Sequence, residues 1–307
     1  MAKVILTGAK GMLGQAFSQV ITSRHPQLEL LALDHTQLDV CDRAAVLALE
    51  QQAPAFIVHC AANVNADYCE THPAECEDTQ VGGTQNVAEL ARRTGARILC
   101  PQSFLIFDGL QEPITEDTLP SPLSVYGRCK WQAEQMLRSH VPAALVVRMG
   151  GFFGGGAADK NFVGKFVPHL RKLIESGTHS YAVGERVWQP SFTDDLAVNS
   201  LELLLSGREG VYNMASHGEA SFLQLARACV ELLGVSHRIE IPPAATAEVA
   251  RNDTAQRPWR AIMVNRRLQA EGLDRQRPWR DALADYLSHP YFQNMFQGLT
   301  ENAAPAL

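Results

Sequence analysis

The 307-residue chain lacks a long apolar run, a leader segment and an excess of positive charge, and each absence excludes a class of function. No uninterrupted apolar stretch reaches the roughly 20 residues that span a bilayer, so we expect no membrane partner. The net charge of −6 disfavours nucleic acid and anionic membranes. No basic and apolar leader precedes the first apolar run, so we expect a cytoplasmic protein.

Closely spaced cysteine pairs are also missing. The chain has seven cysteines, an odd number, and no CxxC pair. A disulfide framework is therefore excluded, and a reducing compartment is indicated. Cys69 and Cys76 flank His72, but their spacing matches no standard zinc pattern. We predict buried thiols at these positions and no metal site.

What the sequence does contain is a regular alternation of short apolar runs and amphipathic segments of helical length. The predicted strands are residues 3–7, 28–33, 55–60, 96–100, 144–148 and 211–214. The predicted helices are residues 12–23, 43–52, 73–94, 124–140, 162–175, 190–205, 221–233 and 278–287. This order predicts an α/β fold, a Rossmann-type doubly wound parallel sheet covered by helices on both faces.

The alternation breaks after residue 148, where a glycine-rich loop covers residues 150–156. We predict that residues 1–150 form a dinucleotide-binding domain, with returning segments near 186–215 and 255–270. Residues 151–185 and 216–300 then form a smaller, interleaved α/β domain that binds substrate and closes over a cleft.

A glycine-rich stretch follows the first predicted strand and opens the first predicted helix. Gly8, Gly11 and Gly14 allow a sharp turn and a close approach of the backbone to a pyrophosphate. The N-terminus of the helix adds free N–H groups and a partial positive charge. Because a strand precedes the glycines and a helix follows them, the spacing predicts a dinucleotide-binding loop rather than a simple turn.

Asp34 stands at the end of the second predicted strand, 20 residues after Gly14. A carboxylate in this place accepts hydrogen bonds from the adenosine ribose hydroxyls. It also repels a 2′-phosphate, and His35, Thr36 and Gln37 supply no permanent cation to hold one. The sequence therefore favours NAD(H) as the cofactor and leaves NADP(H) open.

Tyr126 and Lys130 are four residues apart on a predicted helix, which puts both side chains on one face. An ammonium group close to a phenol favours the phenolate, so we expect Lys130 to lower the pKa of Tyr126 from its usual value of about 10. Ser103 follows the fourth predicted strand, at the edge of the sheet where ligands bind. A hydroxyl there can hydrogen-bond a carbonyl oxygen that gains negative charge.

These residues give the chain a clear resemblance to the extended branch of the short-chain dehydrogenase/reductase superfamily. Within it, the chain is most similar to the dTDP-4-dehydrorhamnose reductase-like group, over residues 1 to about 288. The motifs that carry the resemblance are Gly8, Gly11 and Gly14, Ala61-Ala62-Asn63, Asp67, Glu70, Ser103, Phe107-Asp108-Gly109, Tyr126, Lys130, Asn161-Phe162, Pro190 to Leu196, Gly210 to Asn213 and Arg257-Pro258.

The resemblance implies reduction of the 4-keto group of a nucleotide-linked 4-keto-6-deoxy sugar by NAD(P)H. Tyr126 would protonate the alkoxide, Lys130 would hold the nicotinamide ribose, and Ser103 would polarise the ketone. The implied cofactor-binding residues are Gly8, Lys10, Gly11, Met12, Leu13, Asp34, Ala61, Ala62, Asn63, Tyr126 and Lys130. The implied substrate-binding residues are Ser103, Phe104, Tyr126, Gly151, Asn161 and Phe162.

The chain departs from the group at three positions. Phe104 replaces an acidic residue, Gly151 replaces a frequent tryptophan, and Gln80 replaces an asparagine. The first two departures predict a substrate pocket of different shape and polarity, so a related 4-keto sugar is an alternative substrate. The apolar Phe104 and Leu105 exclude a dehydratase, which needs an Asp-Glu pair at these positions.

Two other functions stay open at this point. A 4-epimerase would use the same serine, tyrosine and lysine while retaining its NAD. A non-catalytic subunit, resembling the regulatory subunit of methionine adenosyltransferase, would bind the dinucleotide and act through a protein partner. Oligomeric state is not encoded in any motif, and a homodimer is expected only from the general frequency of symmetric dimers.

Overall fold

The fold is built around a parallel β-sheet. The computed structural model describes residues 1–245 and 253–299. Its strands are β1 (Ala2–Thr7), β2 (Leu28–Leu33), β3 (Phe56–His59), β4 (Arg97–Ser103), β5 (Leu145–Met149), β6 (Phe152–Phe153), β7 (Val187–Trp188), β8 (Ser191–Phe192), β9 (Gly210–Met214) and β10 (Ala220–Ser221). Six of them form one sheet in the order β2-β1-β3-β4-β5-β9, and every pairing in it is parallel.

Helices connect these strands and cover both faces of the sheet. They are α1 (Met12–Arg24), α2 (Arg43–Ala48), α3 (Ala66–Thr71), α4 (Pro73–Glu77), α5 (Gly83–Thr94), α6 (Val125–His140), α7 (Phe162–Glu175), α8 (Thr193–Leu205), α9 (Phe222–Leu232), α10 (Arg266–Ala270), α11 (Trp279–Leu287) and α12 (Pro290–Met295). None of the helices in the described part of the chain combines the length and the apolar character that a membrane crossing requires.

The sheet has one apolar core on each face because its strands are apolar on both. On one face, α1 and α8 bury Phe17 and Leu201 against β1 and β5. On the other face, α2, α5 and α6 contribute Val46, Val87 and Leu137. Burial on both faces is the reason that the strands read as near-continuous apolar runs. The predicted doubly wound α/β fold is confirmed.

The chain reverses its direction of travel across the sheet between β1 and β3. The strand β2 lies on one side of β1, and β3 lies on the other, with Thr7 opposite His59 at their carboxyl ends. Such a reversal opens a crevice beyond the strand ends, and ligands bind there in open α/β sheets. The fold thus places the ends of β1, β3 and β4 around one crevice.

A separate apolar core collects residues from the second half of the chain. It joins α7, α9, α11 and α12, with Leu170, Leu225, Leu283 and Phe292 at its centre. Two small sheets lie beside it, one from β6 and β8 and one from β7 and β10. This packing supports the two-domain division, which we keep as a proposal; residues 246–252 and 300 of the second domain lie outside the described residues.

The structure differs from the predicted elements in three places near the crevice. The strand β4 continues to Ser103 instead of ending at residue 100, so Ser103 lies within the sheet register. The predicted helix 73–94 contains a π-helical turn at Asp78–Gly82 between α4 and α5. The short helix α3 was not predicted, since six residues are too few to display a helical period.

Candidate active site

The glycine-rich loop is held in a conformation that only glycine accommodates. Gly8 has a φ of +70°, and a Cβ atom there would lie 2.6 Å from the backbone nitrogen of Ala61. A Cβ atom on Gly14 would lie 2.3 Å from the carbonyl oxygen of Gly8. The two glycines therefore let β1, α1 and the end of β3 approach each other, as a dinucleotide cradle requires.

The N-terminus of α1 opens toward the same cradle. Its N-cap residue, Gly11, makes no side-chain capping bond, so the first N–H groups of the helix are available to an anion. Met12 lies at the cradle, and its Sδ accepts a hydrogen bond from the backbone N–H of Lys160 at 3.4 Å. The side chain of Leu13 is buried in the sheet core, so only its backbone can serve a cofactor.

Asp34 lies at the end of β2 and is almost fully buried. Its Oδ1 accepts hydrogen bonds from the N–H of Thr36 at 2.7 Å and the hydroxyl of Thr36 at 2.6 Å. Its Oδ2 forms an ion pair with the exposed ammonium group of Lys10. Hydrogen bonding by Lys10 and Thr36 holds the pKa of Asp34 well below its usual range. Sequence reasoning placed no cation near Asp34, whereas the loop brings Lys10 against it.

A series of buried polar side chains, joined by hydrogen bonds, lies next to the glycine loop. Thr7 Oγ1 lies 2.8 Å from Nδ1 of His59, and Nε2 of His59 lies 3.2 Å from Oγ1 of Thr84. Thr7 Oγ1 also accepts a hydrogen bond from the N–H of Ala61 at 3.3 Å. Burial, with a contribution from the Lys130 charge, lowers the pKa of His59 to about 3, so the ring is neutral. Sequence reasoning missed His59, since nothing in its motif context distinguishes it.

Gln80 explains one of the departures from the family pattern. It lies in the π-helical turn, is buried, and donates a hydrogen bond from Nε2 to the carbonyl oxygen of Asn63 at 2.7 Å. The longer side chain thus reaches the Ala61–Ala62–Asn63 segment from a helix with a local bulge. The segment predicted to line the nicotinamide side is therefore fixed from two directions, by Thr7 and by Gln80.

The structure brings Ser103, Tyr126 and Lys130 together where β4 ends and α6 begins. Lys130 is buried, and its Nζ donates a hydrogen bond to the carbonyl oxygen of Pro101 in β4 at 3.2 Å. Tyr126 is buried one turn earlier on the same face of α6, near enough to Ser103 for the serine hydroxyl to lower the pKa of the phenol. A phenol, a hydroxyl and an ammonium group from three points of the sequence thus converge beside the cradle.

The pKa of Tyr126 shifts in the direction opposite to our expectation. Burial raises the pKa of Tyr126 to about 12, and hydrogen bonding by Ser103 lowers it only in part. Burial also lowers the pKa of Lys130. The prediction that Lys130 lowers the pKa of Tyr126 is therefore wrong for this structure, because desolvation of the phenol is the largest influence and Lys130 is not among the groups that shift its pKa. A phenol with a high pKa is protonated at neutral pH and can act as a proton donor.

The first turn of α6 is fixed by three contacts. The Ser124 hydroxyl accepts a hydrogen bond from the N–H of Gly127 at 3.1 Å, and Oε1 of Glu70 accepts one from the N–H of Val125 at 2.6 Å. A Cβ atom on Gly127 would lie 2.3 Å from the carbonyl oxygen of Leu105. Gly127 therefore allows the helix to pack tightly on the turn after Ser103, which sets the position of Tyr126.

A buried ion pair anchors the middle of α6. Glu134, four residues after Lys130 on the same face, accepts two hydrogen bonds from Arg148 of β5, at 3.1 and 2.7 Å. Both side chains are almost completely buried, at 0% and 2% exposure. Sequence reasoning missed this anchor, although the spacing of four residues from Tyr126 through Lys130 to Glu134 is visible in the sequence.

The predicted substrate-binding residues take up different positions. Phe104 follows Ser103 directly, and its Cε1 lies 3.4 Å from where a Cβ atom on Gly151 would stand. Asn161 donates a hydrogen bond from Nδ2 to the carbonyl oxygen of Phe152 at 2.7 Å. Phe162 packs against Phe222 in the second core, with ring centroids 4.9 Å apart. Phe104 and Gly151 thus lie together beside Ser103, whereas Asn161 bonds to the backbone of β6 and Phe162 packs in the separate apolar core.

Asp67 connects the C-terminal part of the chain to the helices around Tyr126. Its carboxylate accepts hydrogen bonds from both terminal nitrogens of Arg257, at 3.0 and 2.9 Å, and from the N–H of Ala255 at 2.9 Å. Ala255 is fully buried against Tyr126 and the thiols of Cys69 and Cys76. Both cysteines are buried, as predicted, and all seven cysteines of the chain are free thiols.

Comparisons with known proteins agree with this arrangement. The chain is 27% identical over 289 residues to the spore coat polysaccharide biosynthesis protein SpsK of Bacillus subtilis, covering 94% of this chain and 97% of that protein. It is 28% identical to the dTDP-4-dehydrorhamnose reductase of Mycolicibacterium smegmatis, covering 92% and 84%. A crystal structure of a dTDP-4-dehydrorhamnose reductase from Clostridium acetobutylicum superimposes with a TM-score of 0.85 at 28% identity, covering 93% and 98%.

The same conclusion follows from the family comparison. Residues 2–292, nearly the whole chain, match the family described as the RmlD substrate binding domain. The match includes the cradle, Ser103, Tyr126, Lys130 and the second core. The resemblance predicted from the motifs is confirmed, and this chain belongs to the RmlD substrate binding domain family.

Proposed function

We propose that the protein is an oxidoreductase that uses a nicotinamide dinucleotide to reduce the 4-keto group of a dTDP-linked 4-keto-6-deoxy sugar. The observation that carries the proposal is the convergence of Ser103, Tyr126 and Lys130 at the end of β4, beside the glycine cradle. Relatives that match almost the whole chain are named as reductases of such sugars.

The residues of the cradle fit a dinucleotide. The backbone from Gly8 to Leu13 at the N-terminus of α1 would hold the pyrophosphate, and the carboxylate of Asp34 would accept hydrogen bonds from the adenosine ribose hydroxyls. Ala61, Ala62 and Asn63 would line the nicotinamide side, and Lys130 would bind the hydroxyls of the nicotinamide ribose. When bound, the reduced nicotinamide supplies the hydride that the reaction needs.

Two hydroxyl groups would act on the ketone oxygen of the substrate. The Ser103 hydroxyl donates a hydrogen bond to this oxygen and so stabilises the negative charge that develops on it. The Tyr126 hydroxyl donates its proton to the same oxygen. With a pKa of about 12, Tyr126 keeps this proton across the neutral range and releases it only to a stronger base, which an alkoxide is.

We propose that NAD(H) is preferred, with NADP(H) accepted to a lesser degree. The buried carboxylate of Asp34 is charged at all ordinary pH values and repels a 2′-phosphate. The neighbouring ammonium of Lys10 reduces this repulsion, because its side chain is 77% exposed and can turn toward a phosphate. The preference is therefore smaller than Asp34 alone would produce.

A reductase is preferred to the 4-epimerase and to the regulatory subunit. Neither the 4-epimerase nor the regulatory subunit is favoured by a contact in the structure or by the names of these relatives. Seven free thiols support a reducing compartment such as the cytoplasm, and the homodimer stays a prediction.

The test is to follow NADH and NADPH absorbance with a panel of dTDP-linked 4-keto-6-deoxy sugars. We expect turnover by the wild type and a loss of about 10²–10⁴-fold in kcat for Tyr126→Phe, since one proton donor is removed. Tyr68→Phe is the matched control, because Tyr68 is exposed and its hydroxyl donates a hydrogen bond to Glu75.

Three outcomes would overturn the reductase proposal. Wild-type rates in Tyr126→Phe would remove the assigned proton donor. Tightly retained NAD with interconversion of sugar epimers would identify an epimerase. Dinucleotide binding with no turnover of any keto sugar, together with a stable complex with a second protein, would identify a regulatory subunit.

A further inference from the structure

The indole ring of Trp188 lies directly against Gly151. If Gly151 carried a Cβ atom, that atom would lie 2.1 Å from Cε3 and 2.4 Å from Cζ3 of Trp188. Real Cβ atoms do not approach other carbons so closely, so the ring occupies the space of a side chain at position 151. The position of the indole ring therefore requires glycine at residue 151. Trp188 itself belongs to β7, 37 residues later in the chain.

This contact brings Trp188 to the reacting end of the sheet. Ser103 and Met149 are register partners at the ends of β4 and β5. Gly151 follows Met149 by two residues, which is about 7 Å of extended chain. Cε1 of Phe104, the residue after Ser103, lies 3.4 Å from the same Cβ position. Trp188 and Phe104 thus flank Gly151 immediately beyond the catalytic serine.

The indole is held in place from behind. Its ring stacks on Phe222 with centroids 5.1 Å apart, and Phe222 packs on Phe162 at 4.9 Å. The backbone of Trp188 pairs with Ala220 of β10, and the side chain is 94% buried in the second core, at 6% exposure. A ring fixed in this way presents a rigid apolar edge, whereas a flexible side chain would adapt to any ligand.

We propose that Trp188, seated on Gly151, is a specificity-determining residue of the sugar pocket. Together with Phe104 it forms an apolar wall that selects a sugar with an apolar C5–C6 face, that is, a 6-deoxy sugar over one with a C6 hydroxyl. This inference rests on the proposed function. It also accounts for one departure from the family pattern, because a tryptophan reaches the pocket from β7 and position 151 is glycine as a consequence.

The experiment compares Trp188→Phe and Gly151→Ala with the wild type. Trp188→Phe keeps an aromatic ring in the core and withdraws the benzo edge from Gly151; Gly151→Ala forces the indole to move. We expect both variants to raise KM for the 6-deoxy substrate about tenfold, with a much smaller change in kcat. The ratio of kcat/KM between the 6-deoxy sugar and its 6-hydroxy analogue should fall, while the dissociation constant for NADH stays unchanged.

Trp279→Phe is the matched control, since Trp279 packs on the same core and lies near Gly218 instead of Gly151. Its KM and sugar preference should equal those of the wild type. The inference fails if the wild type turns over the keto sugar and Trp188→Phe retains the same KM and the same preference. A loss of NADH binding in the variants would also overturn it, because the effect would then be one of general folding.

Binding of the sugar nucleotide separates failure of this inference from failure of the proposed function. Calorimetry with dTDP and with a dTDP-linked 6-deoxy hexose gives the affinity due to the sugar. If the wild type binds this ligand without turning over any keto sugar, the proposed function fails; the inference then stands only if Trp188→Phe weakens binding of the sugar nucleotide and leaves dTDP binding unchanged. If the wild type binds neither ligand, both proposals fail.

Discussion

The cofactor side and the substrate side of the site are built in different ways. The cradle of the cofactor side is built from backbone of two short segments, Gly8 to Gly14 and the residues after His59, which touch at positions where a Cβ atom has no space. The substrate side consists of side chains from distant segments, with Phe104, Gly151 and Trp188 in contact. A backbone-made site leaves a short sequence motif, whereas a side-chain-made site leaves single residues scattered along the chain.

This difference explains why the family pattern predicts the glycine loop better than it predicts the residues of the substrate pocket. The glycine positions are set by chain geometry, so they match the pattern closely. In the substrate pocket, a side chain from one position can replace the side chain of another, provided that the same volume of the pocket is filled. In the sequence, Gly151 lacks the tryptophan side chain of the family pattern. In the structure, the indole ring of Trp188 fills the volume that a side chain at position 151 would occupy.

The largest expected effect concerns the helix that serves both sides. α6 carries Tyr126 and Lys130, and Glu134 anchors it to Arg148 in β5. Glu134→Gln leaves the buried guanidinium without a countercharge, and we expect the free energy of unfolding to fall by about 3–5 kcal/mol. Urea denaturation measures this loss.

Glu175→Gln is the control for that loss, because its ion pair with Arg171 is about half exposed on both sides. Its effect should stay below about 1 kcal/mol. Equal effects of the two substitutions would show that the buried Glu134–Arg148 pair contributes no more to stability than a surface pair. The proposal that this pair anchors α6, the helix that carries Tyr126 and Lys130, would then be wrong.

The second effect is confined to the cofactor side. Gly14→Ala places a Cβ atom 2.3 Å from the Gly8 carbonyl oxygen, so the loop and α1 must separate. Overpacking of this kind costs about 1–3 kcal/mol, and we expect NADH affinity to fall about 10–100-fold. Fluorescence titration with NADH measures the change.

Gly82→Ala serves as the matched glycine control, since a Cβ atom at Gly82 meets no atom within 4 Å and the residue has helical φ. NADH affinity should be unchanged in this variant. If Gly14→Ala also binds NADH normally, the cradle is not defined by close backbone contact.

The smallest effect concerns cofactor choice. Asp34→Asn removes the negative charge next to Lys10, and we expect the ratio of kcat/KM for NADPH over NADH to rise about tenfold. Because the pKa of Asp34 lies well below its usual range and a 2′-phosphate, with a second pKa of about 6, is fully ionised above neutral pH, the wild-type ratio should not change between about pH 7.5 and pH 9. A ratio that changes over this pH range in the wild type, or is unaffected by the substitution, would contradict this role for Asp34.

The sequence by itself determined the parallel sheet, the glycine loop and the three groups that we propose to react. Apolar runs, glycines before a helix and a spacing of four residues all reflect local geometry, which neighbouring residues specify. Ser103 was located from its strand, although the strand ends three residues later than predicted.

Only the tertiary structure decided the remaining features of the site. Desolvation raised the pKa of Tyr126. The conformation of the glycine loop brought Lys10 into an ion pair with Asp34. The His59 network, the Glu134–Arg148 pair and the seat of Trp188 on Gly151 each join residues from separate elements. Burial and contact between distant segments are properties of the packed chain, so no local pattern contains them.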